Sequence, residues 1–217
     1  MFNESWLNLI QQQRAIAVIR ASKLAQAYEM AMAVAKAGMQ VIEITWNSDR
    51  PEKLIKQLRT ELPTCSIGAG TLLTLEEIKQ AITCGAQFLF TPHINPVIIQ
   101  TAMASKLAII PGALTPTEIV TAWHLGATCV KVFPVQAVGG SEYIQSLQAP
   151  LAKIPLIPTG GVTLENAQEF LSAGAIAVGL SSQLFPKQLV AAQDWQGITQ
   201  RASNLMERLS NTKTSIT

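Results

Sequence analysis

Thr115-Pro116-Thr117-Glu118-Ile119-Val120-Thr121-Ala122-Trp123-His124-Leu125-Gly126-Ala127-Thr128-Cys129-Val130-Lys131-Val132-Phe133-Pro134 reads as a helix, a stop and a strand in one unbroken run. Thr115 with Glu118 three residues on matches a helix start, and Pro116 takes the first helical position. Glu118–Leu125 has helical periodicity, and Gly126 stands where the helix must stop. Cys129–Phe133 is then an apolar strand interrupted by one lysine. Side chains alternate across a strand, so Lys131 shares a face with Cys129 and Phe133. Apolar neighbours strip water from the amine, and burial disfavours its charged form. A lysine held partly neutral near pH 7 is a nucleophile able to form a Schiff base with a carbonyl compound. Its structural alternative is a lysine that snorkels to the surface or pairs with a carboxylate.

The same unit recurs in both directions from this run. Short β-rich segments fall at Ala15–Arg20, Val41–Thr45, Ser66–Gly70, Phe88–Thr91, Ala108–Pro111, Cys129–Phe133, Leu156–Thr159 and Ala177–Gly179. They start roughly every 20 to 27 residues, a spacing that fits one strand plus one helix. Helix-period segments lie between them, among them Leu24–Lys36, Glu76–Cys84 and Glu165–Ala173. Thr74-Leu75-Glu76-Glu77 reads as a capping box. Gly38, Gly85 and Gly174 repeat the stop seen at Gly126. Eight βα units predict an α/β fold, a (β/α)8 TIM barrel forming a single domain over 1–217, with an extra N-terminal helix at Trp6–Gln13. The runner-up, a doubly wound open sheet, needs a glycine-rich turn after the first strand. Arg20-Ala21-Ser22-Lys23 has none.

The 217 residues are 48% hydrophobic and only 14% charged. That suits strands buried on both faces, and it is compatible with a subunit interface. The net charge is +2 with no basic run, which gives nucleic-acid binding little support. Cys65, Cys84 and Cys129 lack metal-ligand spacing, and an odd number of cysteines suits reduced thiols in a cytoplasmic protein. Met1-Phe2-Asn3-Glu4-Ser5-Trp6 lacks a charged region followed by an apolar one, so no signal peptide is expected. No apolar run approaches the length of a membrane span. Ser210–Thr217 is polar and expected to fray.

In a barrel, chemistry sits at the C-terminal ends of the strands. Polar and special residues gather there: Arg20, Glu43 with Thr45, Gly68-Ala69-Gly70-Thr71, Thr91-Pro92-His93, Pro111-Gly112, Pro158-Thr159-Gly160-Gly161 and Gly179-Leu180-Ser181-Ser182. Glu43, between Ile42 and Ile44, needs a partner or an elevated pKa, and Lys131 is the natural partner. The two form either a structural pair or the minimum set for Schiff-base chemistry, a nucleophile with a proton shuttle. Gly160, Gly161, Ser181 and Ser182 occupy the position after strands 7 and 8 where such barrels commonly bind phosphate. A helix cap is expected near Thr163. Thr71 is a candidate for a substrate carboxylate, and Phe133 for the substrate's methyl end. His93 reads as structural or solvated, Trp46 as wall and Cys129 as core.

In this order, Glu43-Ile44-Thr45, Gly68-Ala69-Gly70-Thr71, Pro111-Gly112, Thr115-Pro116-Thr117-Glu118, Lys131-Val132-Phe133-Pro134 and Pro158-Thr159-Gly160-Gly161 form a set that resembles the KDPG/KHG aldolase family. The resemblance runs from about Ala15 to Leu184. It implies a homotrimeric (β/α)8 barrel that uses neither a metal nor another cofactor. It matches Lys131 to the Schiff-base lysine and Glu43 to the general acid/base. Thr71 matches a threonine near the pyruvyl carboxylate, Phe133 an aromatic beside the substrate, and Thr159, Gly160 and Gly161 the loop that lines the site and holds phosphate. The substrates implied are 2-dehydro-3-deoxy-6-phosphogluconate, cleaved to pyruvate and glyceraldehyde 3-phosphate, and 4-hydroxy-2-oxoglutarate, cleaved to pyruvate and glyoxylate.

Two positions depart from the family pattern. Where many members carry arginine in a pattern like E-V-T-L-R, this chain has Asn47, so Arg20 is the expected carboxylate ligand. Asn47-Ser48 also looks like the related 6-phospho-2-dehydro-3-deoxygalactonate aldolases. Where members have Gly-Ser after strand 8, this chain has Ser181-Ser182. Two rivals share parts of the pattern. A sugar-phosphate epimerase or isomerase would need paired acid/base or metal-binding residues, and the chain has only two histidines, His93 and His124. A non-catalytic sugar-phosphate- or carboxylate-binding barrel would not need a reactive Lys131.

Overall fold

The computed structural model describes residues 2–210, and most of the tail expected to fray, residues 211–217, lies outside them. Strands and helices alternate along the chain: α1 (Phe2–Gln13), β1 (Ala15–Ile19), α2 (Leu24–Lys36), β2 (Val41–Thr45), α3 (Pro51–Glu61), β3 (Ser66–Gly70), α4 (Leu75–Thr83), β4 (Phe88–Phe90), α5 (Pro96–Ala104), β5 (Ala108–Ile110), β6 (Gly112–Ala113), α6 (Pro116–His124), β7 (Val130–Val132), a 3-10 turn (Val135–Val138), α7 (Gly140–Leu151), β8 (Leu156–Pro158), α8 (Ala167–Ser172), β9 (Val178–Leu180), α9 (Lys187–Ala191) and α10 (Trp195–Ser210). All strand pairs are parallel, in the orders β5-β4-β3-β2-β1-β9 and β6-β7-β8.

The two sheets close into one barrel. Thr128 N–H donates to Ile109 O at 2.9 Å and Lys131 N–H to Pro111 O at 2.9 Å, which carries β7 along the fifth strand. Ile176 N–H donates to Leu156 O at 3.1 Å, and Thr159 bridges Gly179, which joins β8 to β9. The fifth strand does not end at Pro111 as the sequence reading has it. It continues as β6, and the break falls at the proline because proline has no N–H to give the ladder.

Helix boundaries follow local chemistry. Both Thr74 and Thr115 form full capping boxes, with Glu77 and Glu118 returning the hydrogen bond. Gly38, Gly85, Gly126 and Gly174 all take left-handed φ, between 89° and 101°, at the end of a helix. α1 starts earlier than expected, at Phe2. Thr163 exchanges hydrogen bonds with Asn166, but the regular part of α8 begins only at Ala167.

Two apolar clusters hold the fold. The larger fills the shell between strands and helices and includes Ile19, Ile42, Ile44 and Ile67. The smaller fills the barrel itself: Ile16, Val18, Val41, Phe88, Phe90, Ala108, Ile110, Cys129, Ile157 and Ala177. Trp6 and Ile10 of α1 join this interior cluster, and the Trp6 ring lies 5.6 Å from that of Phe88. The lower barrel is thus a packed plug, and the space for chemistry lies above it.

Candidate active site

Inward positions on the strands alternate, so Val41, Glu43 and Thr45 on β2 face the same interior as Cys129 and Lys131. Glu43 is 1% exposed and Lys131 6%. Burial pushes the Lys131 ammonium below its usual range. The Glu43 charge opposes that shift, and Arg20 adds to it. Burial pushes the Glu43 carboxyl above its usual range, against the nearby Lys131 and Arg20 charges. The two side chains feel each other's charge, yet they are not in ion-pair contact, and Glu43 Oε1 has no hydrogen-bond partner. A structural pair would be in contact. Here an amine biased toward neutrality and a carboxyl biased toward protonation line the same cavity.

Glycine makes room for the side chains around the site. A Cβ on Gly70, the β3 residue in register with Thr45, would overlap Glu43 Oε1. A Cβ on Gly68 would overlap the Phe88 ring, and one on Gly179 would come within 2.7 Å of Thr159 Oγ1. Lys131 Nζ sits 4.8 Å from the centre of the Phe133 ring and 5.9 Å from that of Phe90. Phe133 itself remains 38% exposed.

The mouth of the barrel opens into a cavity of about 760 Å³. Arg20, Glu43, Thr71, Lys131, Phe133, Thr159, Gly160, Gly161, Ser181 and Ser182 all line it, so every site residue singled out from the sequence meets in one place. Thr71 is held at φ 58°, a left-handed conformation that a β-branched residue adopts only under constraint. Such strain commonly marks ligand-binding positions. The carbonyls of Gly160 and Gly161 are taken by Gln136 N–H and the Asn166 amide, which fixes the loop beside Phe133.

Asn47 is exposed and lies off the cavity. Its neighbours do other work. Ala21 N–H donates to Ser48 Oγ, Asp49 N–H donates to Ala21 O at 3.0 Å, and Leu24 N–H donates to Asp49 Oδ2 at 3.0 Å. Thr45 Oγ1 and Ser48 Oγ share a hydrogen bond of 3.0 Å. The β2–α3 loop therefore pins the β1–α2 loop, just beyond Arg20. The Arg20 side chain is exposed to the cavity and makes no ion pair among the described residues.

His93, Trp46 and Cys129 lie off the cavity. The His93 carbonyl accepts from Thr91, Trp46 packs on the outer core, and burial raises the Cys129 thiol far above its usual range. The sequence reading missed Ser22, Gln183 and Lys187, which also line the cavity. None belongs to a motif, and only the closure of the barrel brings them in. Among the described residues, no group of three or more His, Cys, Asp or Glu side chains could hold a metal ion, and no helix is long and apolar enough to cross a membrane.

A buried amine and a buried carboxyl facing one cavity at the C-terminal mouth of a parallel barrel define a Schiff-base aldolase. The family model for KDPG and KHG aldolase matches residues 7–201, and the chain belongs to that family. The 2-dehydro-3-deoxy-phosphogluconate aldolase of Haemophilus influenzae is 36% identical over 78% of this chain and 80% of its own. A native KDPGal structure is 32% identical with a TM-score of 0.83, covering 90% of this chain and 94% of that one. The KDPG aldolase of Legionella pneumophila superposes with a TM-score of 0.85 at 25% identity, covering 92% of this chain and 97% of that one. It was solved with pyruvate captured at low pH as a covalent carbinolamine intermediate. The chain is a class I aldolase, a carbon–carbon lyase.

Proposed function

We propose that this enzyme reversibly cleaves 2-dehydro-3-deoxy-6-phosphogluconate to pyruvate and glyceraldehyde 3-phosphate, and 4-hydroxy-2-oxoglutarate to pyruvate and glyoxylate, with Lys131 as the nucleophile and Glu43 as the proton shuttle. The observation that carries this reading is that the buried Lys131 amine and the buried, unpartnered Glu43 carboxyl line one cavity without ion-pair contact. Neutral Lys131 adds to the C2 ketone and forms a carbinolamine. Glu43, held toward its protonated form, donates a proton as water leaves and the iminium forms. Glu43, now ionised, accepts the C4 hydroxyl proton, directly or through one water. The C3–C4 bond breaks, its electron pair moves into the iminium, and the aldehyde leaves. Protonation of the enamine at C3 and hydrolysis release pyruvate and restore Lys131.

Arg20 and Thr71 hold the C1 carboxylate, Phe133 and Thr159 bound the reacting carbons, and Gly160, Gly161, Ser181 and Ser182 hold the phosphate. Asn47 supports a second reading, the galactonate epimer of the sugar acid, because the arginine many relatives carry is replaced by a side chain off the cavity. Residues 1–217 act as one domain in the cytoplasm. The enzyme assembles as a homotrimer, as the family resemblance implies.

The test is to incubate the protein with pyruvate, reduce with borohydride and map the adduct by peptide mass spectrometry. An adduct on Lys131 is expected. A folded protein with no adduct there would overturn the reading. Turnover of the two C4 epimers then separates the gluconate from the galactonate substrate.

A further inference from the structure

Four charged side chains line the cavity: Arg20, Glu43, Lys131 and Lys187. Glu43 and Lys131 cancel whether the pair is ionised or has passed its proton across and become neutral. The positive excess of the cavity is therefore carried by Arg20 and Lys187 alone. Neither makes an ion pair among the described residues; the pair of Arg50 with Asp49 lies outside the cavity. The two cations rise from neighbouring strands, because β1, which leads into Arg20, pairs with β9, whose following loop leads to Lys187.

That loop is held in place. Leu184 and Phe185 N–H groups both donate to Ser181 O, and Arg201 of α10 donates to Gln183 O at 2.8 Å. Leu184 and Phe185 are buried and anchor the segment from below. The Lys187 stem thus starts from a fixed turn, while its side chain is exposed toward the cavity. One anionic group, the substrate's C1 carboxylate, uses one cation. A second unpaired cation, in the lining that also includes Ser181 and Ser182, fits a second anionic group on the same substrate.

We propose that Lys187 is a specificity-determining residue that binds the anionic group at the aldehyde end of the substrate and selects substrates carrying one. This rests on the reading that the cavity is the aldolase active site. Lys187 also accounts for Ser181. With a side chain where the family pattern has glycine, the loop offers the anion less backbone, and a flexible ammonium supplies the charge instead. A phosphate and a terminal carboxylate share this chemistry, and the two substrates above distinguish them.

The experiment compares the full-length wild type with Lys187→Gln and Lys187→Arg. It measures kcat and KM for the phosphorylated sugar acid, for its unphosphorylated counterpart and for 4-hydroxy-2-oxoglutarate, at low and high salt. Lys187→Gln is expected to lower the ratio of kcat/KM for the phosphorylated over the unphosphorylated acid by about tenfold, through KM, the size of one partly screened charge-assisted contact. Lys187→Arg should restore most of that ratio, and added salt should shrink the difference. A parallel loss for hydroxyoxoglutarate means that Lys187 reads any distal anion, and loss for the phosphorylated acid alone means that it reads phosphate. A ratio unchanged in Lys187→Gln, or a loss in kcat alone, overturns the proposal. Pyruvate trapping on wild-type Lys131 keeps the two readings apart. A trapped adduct with an unchanged ratio removes only the role of Lys187, whereas no adduct removes the site itself.

Discussion

Cys129 and Lys131 stand two residues apart on one inward face, yet they belong to different halves of the barrel. Cys129 sits in the plug, fully buried, with a thiol that burial holds protonated. Around it are Phe88, Ile16, Val41 and the Trp6 indole of α1, which close every gap. One step up the strand, Lys131 meets a different arrangement. Its amine lies 4.8 Å from the centre of the partly exposed Phe133 ring, and it shares the mouth cavity with Glu43. Both groups are buried, and burial shifts both toward their neutral forms. For a thiol that means inertness, and for an amine it means nucleophilicity. The lesson is that the same desolvation disarms one residue and arms the other. What separates the plug from the reactive site is the cavity at the mouth, which Lys131 lines and Cys129 does not.

Replacing each residue of the pair by alanine tests that contrast most severely. Lys131→Ala is expected to abolish turnover while the protein stays folded, and Cys129→Ala to keep turnover near wild type, as read by steady-state kinetics and thermal melts. Equal loss in the two variants would erase the distinction between the halves. Glu43→Gln should cost roughly 10²–10⁴-fold in kcat, the usual range for a general acid/base. A wild-type rate would remove Glu43 from proton transfer. In the lower half, Phe88→Ala should cost about 3–5 kcal/mol of stability in chemical denaturation, because the ring fills the plug between Trp6 and Phe90. A loss below 1 kcal/mol would show the plug to be loosely packed.

The smallest expected effect is a shift along the pH axis. The neutral-amine fraction of Lys131 falls as pH drops through its depressed folded-state pKa, so the rate of pyruvate trapping should fall with it, at a pH below the usual lysine value of about 10.4. Glu43 is the influence that raises the Lys131 pKa, and Arg20 is one that lowers it. Glu43→Gln should therefore move the inflection to lower pH and Arg20→Gln to higher pH. A profile that both variants leave in place would mean that the three groups are not coupled.

Much of this contrast was legible in the sequence, for reasons specific to each residue. The βα repeat showed because helix stops at Gly38, Gly85, Gly126 and Gly174 need left-handed backbone, which only glycine adopts freely. The site residues could be gathered because a parallel barrel delivers all strand ends to one face. Other features follow from three-dimensional packing. The fifth strand resumes after Pro111 because the segment from Thr128 through β7 hydrogen-bonds along both of its pieces, which no local pattern encodes. Trp6 enters the barrel floor from outside the repeat. Lys187 looks like any surface lysine until the loop after β9 folds over the mouth. The unpartnered Glu43 carboxyl in the cavity that Lys131 also lines, and the left-handed Thr71, are matters of packing and torsion that residue types alone do not carry.

Gly70 has a consequence in genetics. Its Cα lies against the carboxyl of Glu43, with no room for a further carbon. Every glycine codon begins GG, so any missense point mutation installs at least a methyl group there, and many install a charge or a large side chain. Drift at codon 70 therefore has no conservative first step. A lineage that relaxes this position either gives up the carboxyl at 43 or changes both codons together.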